Sequence, residues 1–527
     1  MAQITYRANL SASSFPLSLG KAGQTVIVPG PDNTYDRRVD PRGESSVVGI
    51  PQAIYLENVL PTAAGYQSIG YIPGANFGTT GTPEIKWEPL TVTVPGSNVK
   101  FIQLEIGFGV VKFSLNGSTW GTATVIGAVP TGFLAYTSTA TVKGTCYIHV
   151  NDVLYTVTYA GGKLTLTDIT ASVNPGGFFV GVQNICSSFN YLVILKLDGV
   201  IYWSSVLLET DFSPSLITGA GSQAPNNSQG RLTFLRSCPV GFYIYTSGNI
   251  LISLYTGNAR YPWKMSSVEG SEGVSIKSHI GSDPTGGSQI ALTASGTLLR
   301  IVGNTAELIA AEASEYLYRI GVRTKYDSVT DTFSSVLSPP SARSAKIAYL
   351  MDRYICISMG GASGIYDEAL IYDILLARYG RLYKAHTAII DLDSPINLAT
   401  RSIVVLNEFT GDSSTISLDI NQEYPEHVGV LLLGRYQYVR SRRLCLEGIS
   451  VETPRLARPR NFEVRLLPTA DGVTFLPAVT PYLVEEGSQG DAMQYLSSVE
   501  GKNISLLLKG AFDVASVELI FHPGGDL

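Results

Sequence analysis

Short runs rich in Val, Ile, Tyr and Phe recur along the chain, and Gly, Pro, Asn and Asp separate one run from the next. Runs of this length and composition are typical of β-strands that are joined by tight turns. Four dipeptides mark hairpins, because their residue types tolerate the positive φ angles of two-residue β-turns: Asn116-Gly117, Asn151-Asp152, Gly161-Gly162 and Asp198-Gly199. The pattern predicts an all-β protein.

Two stretches depart from this pattern. Residues 306–315 are rich in Ala and Glu, which favours a helix, whereas residues 366–379 fit either a helix or a strand. We expect no other helices.

A larger rhythm runs through the middle of the chain. Strand-rich blocks begin near Phe178, Leu232, Ile290 and Ile347, and each contains about four candidate strands. A spacing of roughly 40 to 60 residues with four strands per block is typical of the blades of a β-propeller. We therefore predict a β-propeller core over residues 177–430, with a stack of β-sandwiches as the alternative.

The regions on either side of this core are also predicted to be β-structure. Residues 1–80 are interpreted as an N-terminal arm and first strands, and residues 81–176, rich in Thr, Val and Gly, as an inserted β domain or additional blades. Residues 431–527 contain alternating apolar and polar positions, which predicts a β-sandwich or a closing sheet.

Charged residues make up only 15% of the 527 residues, against 45% hydrophobic residues, and the chain has 29 tyrosines. Few charges and many tyrosines are typical of subunit interfaces, although a weakly charged secreted β-protein would have the same composition. The net charge of −6 argues against a protein that wraps nucleic acid, since such proteins carry an excess of Lys and Arg.

No pattern of residues points to catalysis, a cofactor or a metal ion. The five histidines are far apart, and neither a GxSxG motif nor a phosphate-binding GxxxxGK[ST] motif is present. The five cysteines are dispersed without a CxxC pair, which predicts buried free thiols. The opening residues lack the pattern of a signal peptide, and no run approaches the roughly 20 apolar residues of a membrane helix, so we expect synthesis and assembly in a cytoplasm.

Eight arginines fall within residues 435–465, and the first of them lie in a Tyr-rich segment. Arginine is enriched in interfaces because its planar guanidinium pairs with carboxylates through two hydrogen bonds and stacks on aromatic rings. We predict an interface at six residues, Arg435, Tyr436, Tyr438, Arg440, Arg442 and Arg443. The alternatives are a phosphate-facing patch and a set of solvated surface arginines.

Several segments resemble the tail nozzle (tail hub) proteins of short-tailed bacteriophages. The opening of that family is similar to residues 58–62 (Asn-Val-Leu-Pro-Thr), which Gly65-Tyr66 and Gly70-Tyr71 follow. Its propeller blades and its C-terminal part resemble further segments, namely residues 198–204, 211–215, 218–221, 241–246, 255–258, 434–436 and 523–525. Residues 81–176 contain no matching motif.

This resemblance implies a specific function. Proteins of the family form a homohexameric ring below the portal and the head-to-tail adaptor ring, retain the packaged genome, and conduct double-stranded DNA through the lumen without sequence specificity. Tail fibres or spikes dock on the outside. We therefore expect a structural subunit of the virion tail, assembled in the bacterial host cytoplasm, that is not an enzyme and uses no cofactor or small-molecule substrate. The alternatives are a receptor- or carbohydrate-binding fibre or spike protein and a propeller glycosidase.

Overall fold

In the computed structural model, the regular secondary structure of the described residues consists almost entirely of short β-strands, with single-turn 3-10 helices at Thr170–Ser172 and Lys277–His279. The residues that the structure describes are 4–9, 25–28, 38–39, 45–49, 53–63, 65–74, 88–92, 94, 102–107, 110–115, 120–129, 136–258, 260–282, 287–311, 313, 317, 321–327, 332–338, 345–351, 353–360, 365–392, 402–407, 410, 412–417, 429–438, 444–452, 462–469, 482–484, 492–501 and 503–523.

Seven sheets of the described residues are each built on four antiparallel strands, and we call them blades 1 to 7 in chain order. Blade 1 contains Glu88–Val92, Ile102–Gly107, Val110–Ser114 and Trp120–Thr122. Blade 2 contains Thr137–Val142, Thr145–Val150, Val153–Ala160 and Lys163–Asp168, and Thr124–Ile126 pairs parallel with Lys163–Asp168. Blades 3 and 4 contain Val182–Ser188, Tyr191–Lys196, Ile201–Trp203 and Gly221–Gln223, then Leu232–Cys238, Gly241–Thr246, Ile250–Tyr255 and Trp263–Ser267. Blades 5 to 7 contain Ile280–Ser282, Gln289–Leu292, Leu298–Val302 and Thr305–Leu308, then Lys346–Leu350, Tyr354–Met359, Glu368–Asp373 and Arg378–Leu382, then Ala388–Leu392, Ser402–Asn407, Asp412–Ser417 and Gly70–Pro73.

The first strands of the blades lie side by side around one axis. First strands of successive blades are in contact throughout blades 1 to 4 and throughout blades 5 to 7. The first strand of blade 7 also contacts the first strand of blade 1. Blades 4 and 5 are joined by side chains, since Gln289 Nε2 donates to the Ser237 carbonyl at 3.3 Å and accepts at Oε1 from the Tyr245 hydroxyl at 3.3 Å. The described chain therefore contains a closed β-propeller with seven blades.

Tight turns of the predicted kind join the blade strands. Asn151 has a φ of 52°, Gly161 and Gly162 have φ of 57° and 76°, and Gly199 has a φ of 79°. The strands on either side of each turn pair antiparallel, so these three predicted hairpins are confirmed. The fourth, at Asn116-Gly117, lies outside the described residues.

Blade 7 takes its outer strand from the other end of the chain. Gly70–Pro73 pairs antiparallel with Asp412–Ser417, and Tyr71 lies opposite Ile416. Gly70–Pro73 precedes blade 1 in the sequence, whereas Asp412–Ser417 follows blade 6, so this pairing joins the beginning of the propeller to its end. The propeller cannot open at either end unless the pairing between these two strands breaks.

Two further sheets combine strands from both ends of the chain. One has the order Arg38–Val39, Ser45–Gly49, Ile4–Asn9, Ser516–Pro523, Leu444–Glu452 and Ala492–Gly501. The other has the order Thr25–Val28, Gly429–Tyr438, Asn503–Gly510, Phe462–Thr469 and Tyr482–Val484, and Ala53–Glu57 also pairs with Gly429–Tyr438. Leu431 and Leu506 of the second sheet share one buried cluster with Ile449 and Leu519 of the first. The two sheets therefore pack face to face as a β-sandwich.

Blade 6 connects the propeller to the sandwich. Its outer strand pairs with Val59–Pro61, and the sheet continues through Tyr66–Ser68 to Asp513–Val514. Gly380 permits this close approach, because a Cβ atom there would lie 2.4 Å from the Val59 carbonyl oxygen. The buried cluster of the sandwich also continues into blades 5 and 6, so the two parts share one hydrophobic core.

The helix predicted for residues 306–315 is largely wrong. Thr305–Leu308 is the outer strand of blade 5, where it pairs with Leu298–Val302. Helical residues follow later, at Ala311, Ala313 and Leu317 among those described. Tertiary pairing outweighs the modest helix propensity of Ala and Glu here. The ambiguous stretch 366–379 contains the whole strand Glu368–Asp373, a turn and the start of the strand Arg378–Leu382.

The described strands extend the propeller beyond the segment 177–430. Residues 81–176, for which an inserted domain or additional blades were the alternatives, contain blades 1 and 2. Strands within residues 1–80 are divided among the sandwich, the sheet of blade 6 and blade 7. Strands within residues 431–527 belong to the sandwich, except that Asp513–Val514 lies in the sheet of blade 6.

Candidate functional site

A long loop in blade 3, residues 204–220, exposes four aliphatic side chains. The exposed fractions are 73% for Leu207, 52% for Leu208, 70% for Leu216 and 89% for Ile217. Single exposed leucines are normal, but a cluster of this kind marks an interaction site. Covering the exposed parts of all four would contribute roughly 4 to 8 kcal/mol, because a fully exposed aliphatic side chain gains about 1.5 to 3 kcal/mol on complete burial and these four are exposed only in part.

Hydrogen bonds inside the loop bring the two apolar pairs together. The Val206 N–H donates to the Thr218 carbonyl at 3.0 Å, which places Leu207 beside Ile217. The Ser205 hydroxyl accepts from the Leu207 N–H at 3.0 Å, as turns of this type commonly do. The patch is thus formed before any partner arrives, which lowers the entropy cost of binding.

Contacts with the blades hold the loop in place. The Trp203 indole N–H donates to the Gly219 carbonyl at 2.7 Å, and the Phe212 ring stacks on Phe178 with centroids 4.7 Å apart. Lys143, in the first turn of blade 2, forms an ion pair with Glu209 at 3.2 Å. These contacts fasten the loop to both blade 2 and blade 3.

Aromatic side chains extend the patch across the same face of the propeller. In a four-stranded meander, the turn between strands 1 and 2 and the turn between strands 3 and 4 lie on one face, which we call the upper face. In blade 3 the first of these turns carries Phe189, which is 45% exposed and stacks on Tyr255 of blade 4 with centroids 4.4 Å apart. Tyr261, in the last turn of blade 4, is 64% exposed. We call Phe189, Leu207, Leu208, Leu216, Ile217 and Tyr261 together the apolar face.

Two buried serine–histidine pairs have geometries that could suggest catalysis. Ser138 Oγ lies 3.1 Å from His149 Nδ1, while His149 Nε2 donates to the Asn151 carbonyl. Ser358 Oγ lies 2.8 Å from His386 Nε2, while the other ring nitrogen donates to a main-chain carbonyl.

Burial determines the role of both pairs. Both imidazoles are fully buried, and burial lowers the pKa of His149 to about 3 and that of His386 to about 4. The rings are therefore neutral at pH 7. Each ring connects a hydroxyl to a carbonyl group inside the protein, away from any substrate in solution.

Buried charges concentrate where blade 6 meets the strands from both ends of the chain. Arg381 pairs with Glu368, and Arg381 Nη1 donates to the Leu56 carbonyl at 3.3 Å. Asp373 is fully buried and pairs with Arg353 at 2.7 Å. These ion pairs join neighbouring strands and so have a structural role.

The predicted arginine interface lies only in part within the described residues. Arg435, Tyr436 and Tyr438 belong to the strand Gly429–Tyr438 of the sandwich. That strand is internal here, because Val26 and Ile504 lie opposite Tyr436 on its two sides. Any contact at this point must therefore use side chains and not a free strand edge. Arg440, Arg442 and Arg443 lie outside the described residues.

The apolar face is not among the sites predicted from the sequence. The available signal was two aliphatic pairs, Leu207-Leu208 and Leu216-Ile217, within a segment rich in Ser and Thr. Aliphatic pairs usually indicate buried strands, so only the loop conformation reveals that they are exposed.

The described residues contain no group of three or more His, Cys, Asp or Glu side chains placed to hold a metal ion. Within the same part of the chain, no helix has both the length and the apolar character needed to cross a membrane.

No family model matches the chain, and no curated protein matches its sequence. Structures of propeller proteins are similar to it. YCF48 bound to D1 peptide shares 13% identity over 67% of this chain and 99% of that chain, with a TM-score of 0.34. The WD40 β-propeller domain of Doa1 shares 10% identity over 67% and 98%, with a TM-score of 0.36. YCF48 from Cyanidioschyzon merolae shares 13% identity over 63% and 99%, with a TM-score of 0.36. TM-scores of this size do not establish a shared fold. The pairing of the strands establishes the propeller fold.

Proposed function

We propose that this protein is a structural subunit of a phage tail and acts through contacts with other protein subunits, including copies of itself. The observation that carries the proposal is the apolar face. Its loop is held rigidly by hydrogen bonds yet leaves Ile217 89% exposed. Exposed aliphatic side chains on a preformed surface are stabilised when a protein partner covers them.

The sequence resemblance supports a more specific assignment, a tail nozzle subunit. In that role six copies form a ring below the head-to-tail adaptor, and tail fibres or spikes dock on its outside. Double-stranded DNA passes through the lumen without sequence-specific contacts. The net charge of −6 supports this role, because an acidic wall repels DNA and does not retain it.

The predicted arginine interface is a second proposed contact, and its partner is the neighbouring copy or the adaptor ring. Arg442→Glu should leave the fold intact, since surface charge changes usually alter stability by no more than about 0.5 kcal/mol. The same change should weaken assembly, because like charges would meet across the contact. Lys264→Glu, on the exposed outer strand of blade 4, is a matched control. Equal assembly of both variants would contradict this contact.

Negative-stain electron microscopy of the purified full-length chain tests the proposed function. We expect six-fold ring particles with a central opening. Separate particles of the size of one chain would contradict the assignment as a ring subunit. Elongated three-fold particles would instead favour the fibre or spike alternative.

A further inference from the structure

The propeller has a second exposed apolar patch, on the face opposite the apolar face. Val180 is 65% exposed and Leu197 is 48% exposed. They are neighbours, because the Leu197 N–H donates to the Gly181 carbonyl at 2.9 Å. Residue 197 begins the turn between strands 2 and 3 of blade 3, which leaves the blade on the lower face. We call Val180 and Leu197 the lower patch.

The two faces of these blades also differ in charge. On the upper face, Lys163 and Arg260 are exposed in the turns of blades 2 and 4, whereas Lys143 and Glu209 neutralise each other as an ion pair. On the lower face, Asp152 and Asp198 are exposed in the turns of blades 2 and 3, beside the lower patch.

The lower face carries further exposed acids in the connection between blades 4 and 5, Glu269 and Glu272, against one exposed cation at the start of blade 4, Arg231. Exposed cations therefore flank one apolar surface and exposed anions flank the other. Surfaces with this arrangement attract each other when they meet.

We infer that the apolar face of one copy packs on the lower patch of the next copy, in a head-to-tail contact. This contact rests on the proposed function. It makes a second copy of the chain the partner of the apolar face, and it sets the orientation of neighbouring copies in the ring. A contact of this kind uses two different surfaces and closes into a ring when the rotation between copies permits. A two-fold contact between two apolar faces would leave the lower patch uncovered and would bring like charges together.

Sedimentation velocity of the full-length protein tests the inference. The first variant is Leu216→Ser with Ile217→Ser, and the second is Val180→Ser with Leu197→Ser. The control is Leu375→Ser, because Leu375 is 72% exposed in the turn between strands 3 and 4 of blade 6, which lies on the upper face but is separated from the apolar face by blade 5. Circular dichroism checks that each variant folds.

We expect the wild-type chain to form oligomers and the control to behave in the same way. Each double variant should associate at least about tenfold more weakly, because exposed aliphatic groups at the centre of an interface dominate its affinity. An equimolar mixture of the two double variants should form dimers. One intact apolar face then meets one intact lower patch, and the dimer cannot grow further.

The possible outcomes separate the proposed function from the head-to-tail contact. A wild-type chain that remains monomeric would overturn the proposed function and the inference together. Wild-type oligomers that both double variants also form would overturn the inference alone. Loss of association in only one double variant, or a mixture without dimers, would overturn the head-to-tail pairing.

Discussion

Replacement of Arg381 by Met should destabilise the protein by about 3 to 5 kcal/mol, because it removes the guanidinium that pairs with the buried Glu368 carboxylate. The exposed fractions of the two side chains are 9% and 7%, so water cannot replace the lost charge. The guanidinium also donates to the Leu56 carbonyl at 3.3 Å and lies 5.3 Å from the Tyr55 ring centroid. The variant therefore loses a contact between blade 6 and the sandwich as well.

The double variant Arg381→Met with Glu368→Leu should recover most of this loss, since apolar side chains of similar volume can replace a buried ion pair. Arg300→Met is the matched control. It breaks an exposed pair with Glu307 at 3.5 Å, with exposed fractions of 34% and 62%, and should cost about 0.5 kcal/mol or less.

Urea unfolding followed by circular dichroism measures these differences, with all proteins at one concentration because association affects apparent stability. An unfolding free energy that falls no further for Arg381→Met than for Arg300→Met would refute the reasoning. An equal decrease in unfolding free energy for Arg381→Met and for the double variant would show that the two charges do not act as a pair.

Three further predictions concern groups buried in the propeller. His149 and His386 have pKa values of about 3 and about 4 in the folded chain against 6.5 when exposed, so the unfolded chain alone takes up protons as the pH falls below about 6.5. The free energy of unfolding should drop by about 2 kcal/mol per histidine between pH 7 and pH 5. In urea titrations, the His386→Gln variant should show a smaller drop, by the amount that His386 contributes. An unfolding free energy that depends on pH as steeply in the variant as in the wild type would contradict this prediction. A Cβ atom at Gly273 would lie 2.1 Å from the Ser247 carbonyl oxygen, so Gly273→Ala should lower the melting temperature by several degrees, whereas Gly176→Ala, with no atom within 4 Å, should not; equal melting temperatures would contradict the clash. The four cysteines with described side chains are buried, and burial raises their pKa, so Ellman's reagent should label them only upon unfolding; rapid labelling of more than one thiol in the native protein would count against this.

Local features of the blades were predictable from sequence, because they depend on neighbouring residues. Asp198-Gly199 identifies a hairpin by its own chemistry, and the recurring blocks of four strands identify blades. The closure of blade 7 was not predictable in this way. Gly70–Pro73 must pair with Asp412–Ser417, and nothing in either segment names a partner so distant in the chain.

The sandwich and the apolar face show the same limit. The sandwich draws strands from both ends of the chain, so described strands from residues 1–80 and from residues 431–527, which were predicted as separate regions, share one core. At Leu216 and Ile217 the sequence pattern favours burial, whereas hydrogen bonds within the loop hold the two side chains outward. Exposure depends on tertiary contacts that a linear pattern does not contain.

The mass of the purified wild-type protein in solution, measured by light scattering coupled to gel filtration, tests most directly whether this chain is an assembly subunit. We expect a mass close to six times the 56.5 kDa of one chain. A mass of one chain at every concentration tested would contradict it.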